Sequence, residues 1–121
     1  MKLGVWGEAI AGRHLVQQGL RIRDRNWRVP EGELDLVVQD GETIVFVEVK
    51  ARAGRAFGAP EEGVTPTKRR RIQRAAWAYL EAAGLLDAPW RIDVIAIDQG
   101  PKGDVERLEH YVNAVDADPL P

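Results

Sequence analysis

Glu33-Leu34-Asp35-Leu36-Val37-Val38-Gln39-Asp40-Gly41-Glu42-Thr43-Ile44-Val45-Phe46-Val47-Glu48-Val49-Lys50 is the stretch that decides the fold. Two runs rich in Leu, Val, Ile and Phe flank Asp40-Gly41, a strong signal for a two-residue hairpin turn. Glu33 to Gln39 is therefore one strand and Thr43 to Lys50 the next, and the second is apolar enough to lie centrally in a sheet. The charged members are out of place in such segments. An Asp, a Glu and a Lys at one end of a buried hairpin are costly unless something pairs with them, and a divalent cation with a phosphate would do so.

A turn at Asp40-Gly41 pairs Gln39 with Glu42, which sets Asp35 opposite Phe46 and Glu33 opposite Glu48. Because side chains alternate between faces, Glu33, Asp35, Glu48 and Lys50 then project to one side. Asp35 and Glu48 become diagonal neighbours with Cα atoms roughly 7–8 Å apart, near enough for their carboxylates to share an ion. A three-residue turn, or a bulge, would instead throw Asp35 to the opposite face.

Working outward from the hairpin, Val5 to Gln18 reads as a first helix. Val5, Ala9, Gly12, Leu15 and Val16 form its apolar stripe and Gly19 its stop. Leu20 to Val29 interleaves Arg21, Arg23, Arg25 and Arg28 with Leu20, Ile22, Trp27 and Val29, a partly exposed strand leading into the turn Pro30-Glu31-Gly32. Ala51 to Val64, with Gly54, Gly58, Pro60 and Gly63, is a loop just after the charged strand end. A second helix starts with Thr65 as N-cap and Pro66 in the first position. Ile72, Ala75, Ala76, Tyr79 and Leu80 line its buried face, which ends before Gly84. Trp90 to Asp98 is a further strand and Val105 to Val112 a last one, with Ala117 to Pro121 a frayed tail. The order α-β-β-β-α-β-(β) implies an α/β fold, a mixed central β-sheet flanked by helices.

The chain of 121 residues suits a single domain, 1–121, since domains commonly run to roughly 100–150 residues. With 45% hydrophobic and 30% charged residues, its balance is neither that of a disordered chain nor that of a membrane protein. No apolar run reaches the roughly 18–20 residues of a membrane span, and Met1-Lys2-Leu3-Gly4 lacks a signal-peptide core, so a cytoplasmic protein with no membrane partner is expected. Zero cysteines exclude disulfides and thiolate metal sites, and only His14 and His110 offer imidazole. With so few sulfur and nitrogen donors an oxygen-ligated ion is favoured over zinc; His14 reads as a polar face residue and His110 carries no signal. The formal net charge is −2, yet Arg52, Arg55, Lys68, Arg69, Arg70, Arg71 and Arg74 oppose only Glu61 and Glu62 between Ala51 and Arg74. A basic region therefore follows the hairpin, and an acidic segment runs from Asp98 to Asp118.

Magnesium or manganese suits the hairpin site, with Asp35 and Glu48 as first ligands and the backbone carbonyl of Val49 completing the protein shell. Lys50, on the same face, would orient a water or offset developing negative charge. Glu8 sits at the border of the first helix's apolar stripe, where a third carboxylate could serve the ion directly or through water, or could cap the helix or pair with Arg13 instead. Arg52, Lys68, Arg69, Arg71 and Arg74 are the candidate phosphate contacts. Trp6, Trp27, Trp77 and Trp90 read as core or interface residues.

Asp35 followed by Glu48-Val49-Lys50 resembles the PD-(D/E)xK nuclease signature of restriction-endonuclease-like folds, without its proline. Gly7-Glu8-Ala9, Asn26-Trp27-Arg28, Gly32-Glu33-Leu34-Asp35-Leu36, Val45-Phe46-Val47-Glu48-Val49-Lys50, Val64-Thr65, Lys68 and Asn113-Ala114 together resemble the YraN-like family of uncharacterised endonuclease-like proteins, akin to archaeal Holliday-junction resolvases. The resemblance implies a restriction-endonuclease-like fold with Glu8, Asp35, Glu48 and Lys50 at matching positions, and a homodimer as in the resolvases. The function expected is metal-dependent hydrolysis of phosphodiester bonds in DNA, including branched or junction DNA. The alternative is a nucleic-acid-binding module that keeps the fold without the chemistry.

Overall fold

Helix α1 (Leu3–Gln17) closes at Gly19, whose φ of 89° lets the Leu20 N–H bond back to the Leu15 carbonyl at 3.0 Å. The chain, described here by a computed structural model over residues 2–54 and 65–114, continues through strands β1 (Arg21–Val29), β2 (Gly32–Asp40) and β3 (Thr43–Ala53). Helix α2 (Pro66–Ala82) and strands β4 (Trp90–Gln99) and β5 (Val105–Tyr111) follow. The strands form one sheet in the order β1-β2-β3-β4-β5, antiparallel throughout except for the parallel pair β3–β4. A parallel pair needs a long crossover, and α2 supplies it. This is the α/β architecture expected of a restriction-endonuclease-like fold, with a mixed five-stranded sheet between two helices.

The two faces of the sheet carry separate cores. Val37, Ile44, Phe46, Ile92 and Val94 pack beneath Ile72, Ala75, Ala76, Tyr79 and Leu80 of α2. Phe46, fully buried, meets Tyr79 and Trp90 edge-on with ring centres 5.8 and 5.9 Å away, the arrangement aromatic quadrupoles favour. On the other face Leu36, Val38, Val45, Val47, Ile95 and Ile97 pack against Ala11 and Leu15 of α1. Each large aliphatic side chain buried in this way contributes about 1.5–3 kcal/mol of transfer free energy. Thr65 caps α2, its Oγ1 accepting from the Lys68 N–H at 3.2 Å, and Pro66 takes the first helical position.

Three details differ from the sequence expectation. The turn sits one residue later, with Asp40 opposite Thr43 and Gly41 and Glu42 at its tip. Gly41 has a φ of 61° while Glu42 is not left-handed, the φ pattern of a type II′ turn. Moving a two-residue turn by one position shifts the partners by two, so the faces are unchanged. On α1 the buried positions are Gly7, Ala11, Gly12 and Leu15, whereas Val5 and Val16 are 56% and 55% exposed. The apolar stripe expected through Val5, Ala9 and Val16 is thus rotated around the helix. Finally, β3 runs on to Ala53 because β4 pairs with it as far as Gln99, which shortens the expected loop. The remainder of that loop, residues 55–64, and the expected frayed tail lie outside the described residues.

Candidate functional site

The β2–β3 ladder stops at Leu36 opposite Val47. Beyond that point the strands part, Leu34 packing in the α2-side core and Val49 against the α1-side core, and Asp35 and Glu48 stand where they separate. In an antiparallel hairpin the residues flanking a two-residue turn exchange both hydrogen bonds, and every second pair does the same. By that count Val49 turns both its N–H and its C=O toward β2. The N–H donates to Asp35 Oδ2 at 2.8 Å. The Asp35 side chain thus occupies the place where the strand ladder would continue, and this fixes its carboxylate beside Glu48 and in the gap that the Val49 carbonyl faces.

The electrostatics follow from that wedge. Burial first, then the Glu48 charge and a hydrogen bond between the two carboxyls, push Asp35 up to about 7, against the lowering effect of the Val49 N–H. Glu48 Oε1 lies 3.4 Å from Lys50 Nζ, both side chains being largely buried. Lys68, in the first turn of α2, hydrogen-bonds to Lys50, and the contact between the two amines holds Lys68 below the usual lysine range. On the α1 side Glu8 is raised by burial and then by Asp35, while the Asn26 side chain hydrogen-bonds its carboxylate and works in the opposite direction. Asn26 adopts a φ of 50°, a left-handed conformation that Asn tolerates better than most residues, inside β1. Gly7 makes this approach possible. A Cβ there would stand 2.6 Å from Ala51 Cβ, so only glycine lets α1 lie this close to β3.

A cleft of about 220 Å³ opens over the pair, lined by Gly32, Glu33, Asp35, Glu48, Lys68 and Arg71. Gly32 lies so close under α2 that a Cβ would meet the Arg71 carbonyl oxygen at 2.8 Å, and this contact sets Arg71 at the rim. Arg71 Nε donates to the Glu31 carbonyl at 3.3 Å, and Glu33 pairs with Arg28 at 3.4 Å. The structure therefore brings Glu8, Asp35, Glu48, Lys50, Lys68 and Arg71 to one end of the sheet. Arg69 is half-buried and Arg74 exposed further along α2. Arg52 does not join them. Its Nε bonds at 2.9 Å to the fully buried carboxylate of Asp98, which Arg107 also approaches, so its charge is already used in the fold.

Among the described residues no three His, Cys, Asp or Glu side chains gather tightly enough to make a complete protein cage for an ion. Two carboxylates and a backbone carbonyl offer oxygen donors only, which suits a hard cation that keeps several waters. A larger groove of about 560 Å³ runs between α1 and β1, past Ala9, Arg13, Val16, Gln17, Ile22 and Arg25. Gly12 makes way for Arg25, whose guanidinium nitrogen would lie 3.0 Å from a Cβ there, and Arg25 acts electrostatically on Glu8. Glu8 thus feels the charge of Asp35 in the cleft and of Arg25 in the groove. Sequence reasoning missed both Arg25 and Asn26. The alternating arginines of β1 and a lone Asn within a strand were the available signals.

The family description "Uncharacterised protein family UPF0102" matches residues 7–97, a span that holds every cleft residue named above. The chain belongs to family UPF0102. This is the YraN-like group to which its motifs pointed. A UPF0102 protein of Pelotomaculum thermopropionicum is 46% identical over 112 residues, covering 93% of both chains. Another, from Geobacter sulfurreducens, is 49% identical over 113 residues, covering 93% of this chain and 87% of its own. A third, from Beutenbergia cavernae, is 48% identical over 108 residues, covering 89% and 91% respectively. No helix among the described residues of this UPF0102 chain is long and apolar enough to cross a membrane.

Proposed function

We propose that the cleft is the active site of a metal-dependent endonuclease that hydrolyses phosphodiester bonds in DNA, branched or junction DNA included. The observation that carries this reading is the Asp35–Glu48 pair, two carboxylates side by side at a splayed strand end, one of which keeps its proton up to about pH 7. Folding gains nothing from such a pair, because like charges in a half-buried place repel and are poorly solvated. A divalent cation in place of the shared proton removes the conflict. Asp35, Glu48 and the Val49 carbonyl would hold Mg²⁺ or Mn²⁺, with water and a phosphate oxygen as its other ligands. When bound, the ion supplies a more acidic water and neutralises charge on the scissile phosphate.

The remaining side chains divide the work by position. Lys50, beside Glu48, offsets negative charge developing on the phosphate, and Lys68 adds a second amine on the α2 side. Glu8, steadied by Asn26, can accept a hydrogen bond from a water crossing the cleft. Arg71 meets the flanking phosphate at the rim, and Arg69 and Arg74 continue that contact along α2. Arg25 and Arg13 would receive the strand as it leaves past α1. A homodimer would present a second cleft to the opposing strand of a junction.

The test is cleavage of junction, flap, single-stranded and duplex DNA with Mg²⁺, with Mn²⁺ and with chelator, by the natural chain and by Asp35→Asn and Glu48→Gln. Metal-dependent cleavage lost in both variants is expected. Activity unchanged in both refutes the assignment. Tight, salt-sensitive binding that survives Glu48→Gln, with no cleavage of any substrate, replaces it with the binding-module reading.

A further inference from the structure

Away from the cleft, α1 and the edge strand β5 are tied together by a pair of side chains that the proposed chemistry does not use. His14 Nε2, near the end of α1, lies 3.3 Å from His110 Nδ1 of β5. The rings are nearly perpendicular, at 75°, with centres 5.4 Å apart. His110 turns its other nitrogen, Nε2, to Asp93 Oδ2 at 2.8 Å. Asp93 is fully buried on β4, and its carboxylate is held by Arg91 Nε at 3.0 Å and by the Asn113 N–H at 2.8 Å.

We propose that His14 and His110 form a binding site for a divalent transition-metal ion of the zinc class, distinct from the carboxylate cleft. Three features point to it. First, the buried carboxylate takes the Nε2–H of His110, which leaves Nδ1 as the bare lone pair aimed at His14. A carboxylate behind a histidine is the arrangement that fixes tautomer and ring orientation in metal sites. Second, the 3.3 Å separation, which a hydrogen bond can span, is also the spacing of two nitrogens sharing one ion. A hydrogen bond from an N–H usually spans about 2.7–3.2 Å. Two nitrogens bound to one tetrahedral ion at about 2.0–2.1 Å lie about 3.3 Å from each other. Third, the pair is open to solvent, His110 being 15% exposed and His14 half-buried, so an ion can enter and complete its shell with water.

The donor chemistry also separates the two sites. Imidazole nitrogens favour zinc, nickel or copper, whereas the oxygen donors of the cleft favour magnesium or manganese. An ion at His14 and His110 would cross-link the first helix to the last strand, 96 positions later in the chain. Because it binds the folded chain and not the unfolded one, it would raise stability with concentration. Nothing in this inference depends on the nuclease reading.

The experiment is calorimetric titration of ZnCl₂, paired with thermal unfolding in zinc and in magnesium. It is run on the natural chain, on the Asp35→Asn/Glu48→Gln variant, and on His14→Gln and His110→Gln. One zinc per chain is expected in the natural protein and in the cleft variant. The affinity should fall at least tenfold in either histidine variant, and Co²⁺ in place of zinc should show the visible absorption of tetrahedral coordination. His14→Gln, at a half-buried position, keeps the test decisive if His110→Gln folds poorly. Absence of zinc binding to the natural chain overturns the proposal, as does binding that survives His14→Gln undiminished.

Discussion

Replacing Asp35 by Asn should make the metal-free protein more stable, and the gain should depend on pH in a defined way. In the folded chain the Asp35 carboxyl is raised from 3.8 to about 7. Between those values the unfolded chain has released the proton that the folded chain retains, so stability falls as pH rises. The contribution is fully present below about pH 4 and is lost as pH passes through about 7. A little over three pH units at about 1.36 kcal/mol each gives ~4 kcal/mol as the full span. Asn keeps an oxygen to accept from Val49 and an amide to donate to Glu48, so it holds the wedge without the charge. Urea unfolding in chelator from pH 4 to pH 8 should therefore show wild type and Asp35→Asn nearly equal at pH 4. By pH 8 the variant should be ahead by about 2–4 kcal/mol. Added Mg²⁺ should narrow the gap at pH 8 by stabilising only the wild type. Parallel pH profiles, or a variant weaker than wild type at pH 8, would refute the account of the carboxylate pair.

Other consequences follow from single contacts. Gly7→Val forces a side chain into Ala51, where even a Cβ meets 2.6 Å, and should destabilise by about 1–3 kcal/mol in chemical unfolding while displacing Glu8 and lowering cleavage. Asp98→Ala strips the shared buried partner from Arg52 and Arg107 and should cost about 3 kcal/mol or more, measured in the same way. The double variant Lys68→Ala/Arg71→Ala should leave the melting temperature close to wild type, while the slope of log affinity for DNA against log salt drops by about 2. An unchanged slope would remove the cleft rim from the binding surface.

Some of this was readable in the chain and some was not, for identifiable reasons. The face shared by Asp35 and Glu48 was legible because parity survives a turn that slips by one residue. The position of the turn was not, since Asp40-Gly41 and Gly41-Glu42 both satisfy turn chemistry. Helix α2 announced itself through Thr65-Pro66 and an apolar stripe that the structure buries. The buried face of α1 did not, because Gly7 and Ala11 are chosen for smallness and give little hydrophobic signal, while Val5 and Val16 give a strong one and are exposed. Arg52 reads in sequence as a phosphate contact, and its ion pair with the distant Asp98 emerges only from the fold. His14 and His110 carried no local pattern at all, being brought together only when α1 packs over the sheet.

The most direct test of the central claim is to locate Mn²⁺ by anomalous scattering in crystals grown or soaked with the ion. The account predicts a peak between the Asp35 and Glu48 carboxylates and within ligand distance of the Val49 carbonyl, absent from crystals of Asp35→Asn. A gap left without an ion at saturating Mn²⁺, or an Asp35 carboxylate turned away from Glu48, would contradict it.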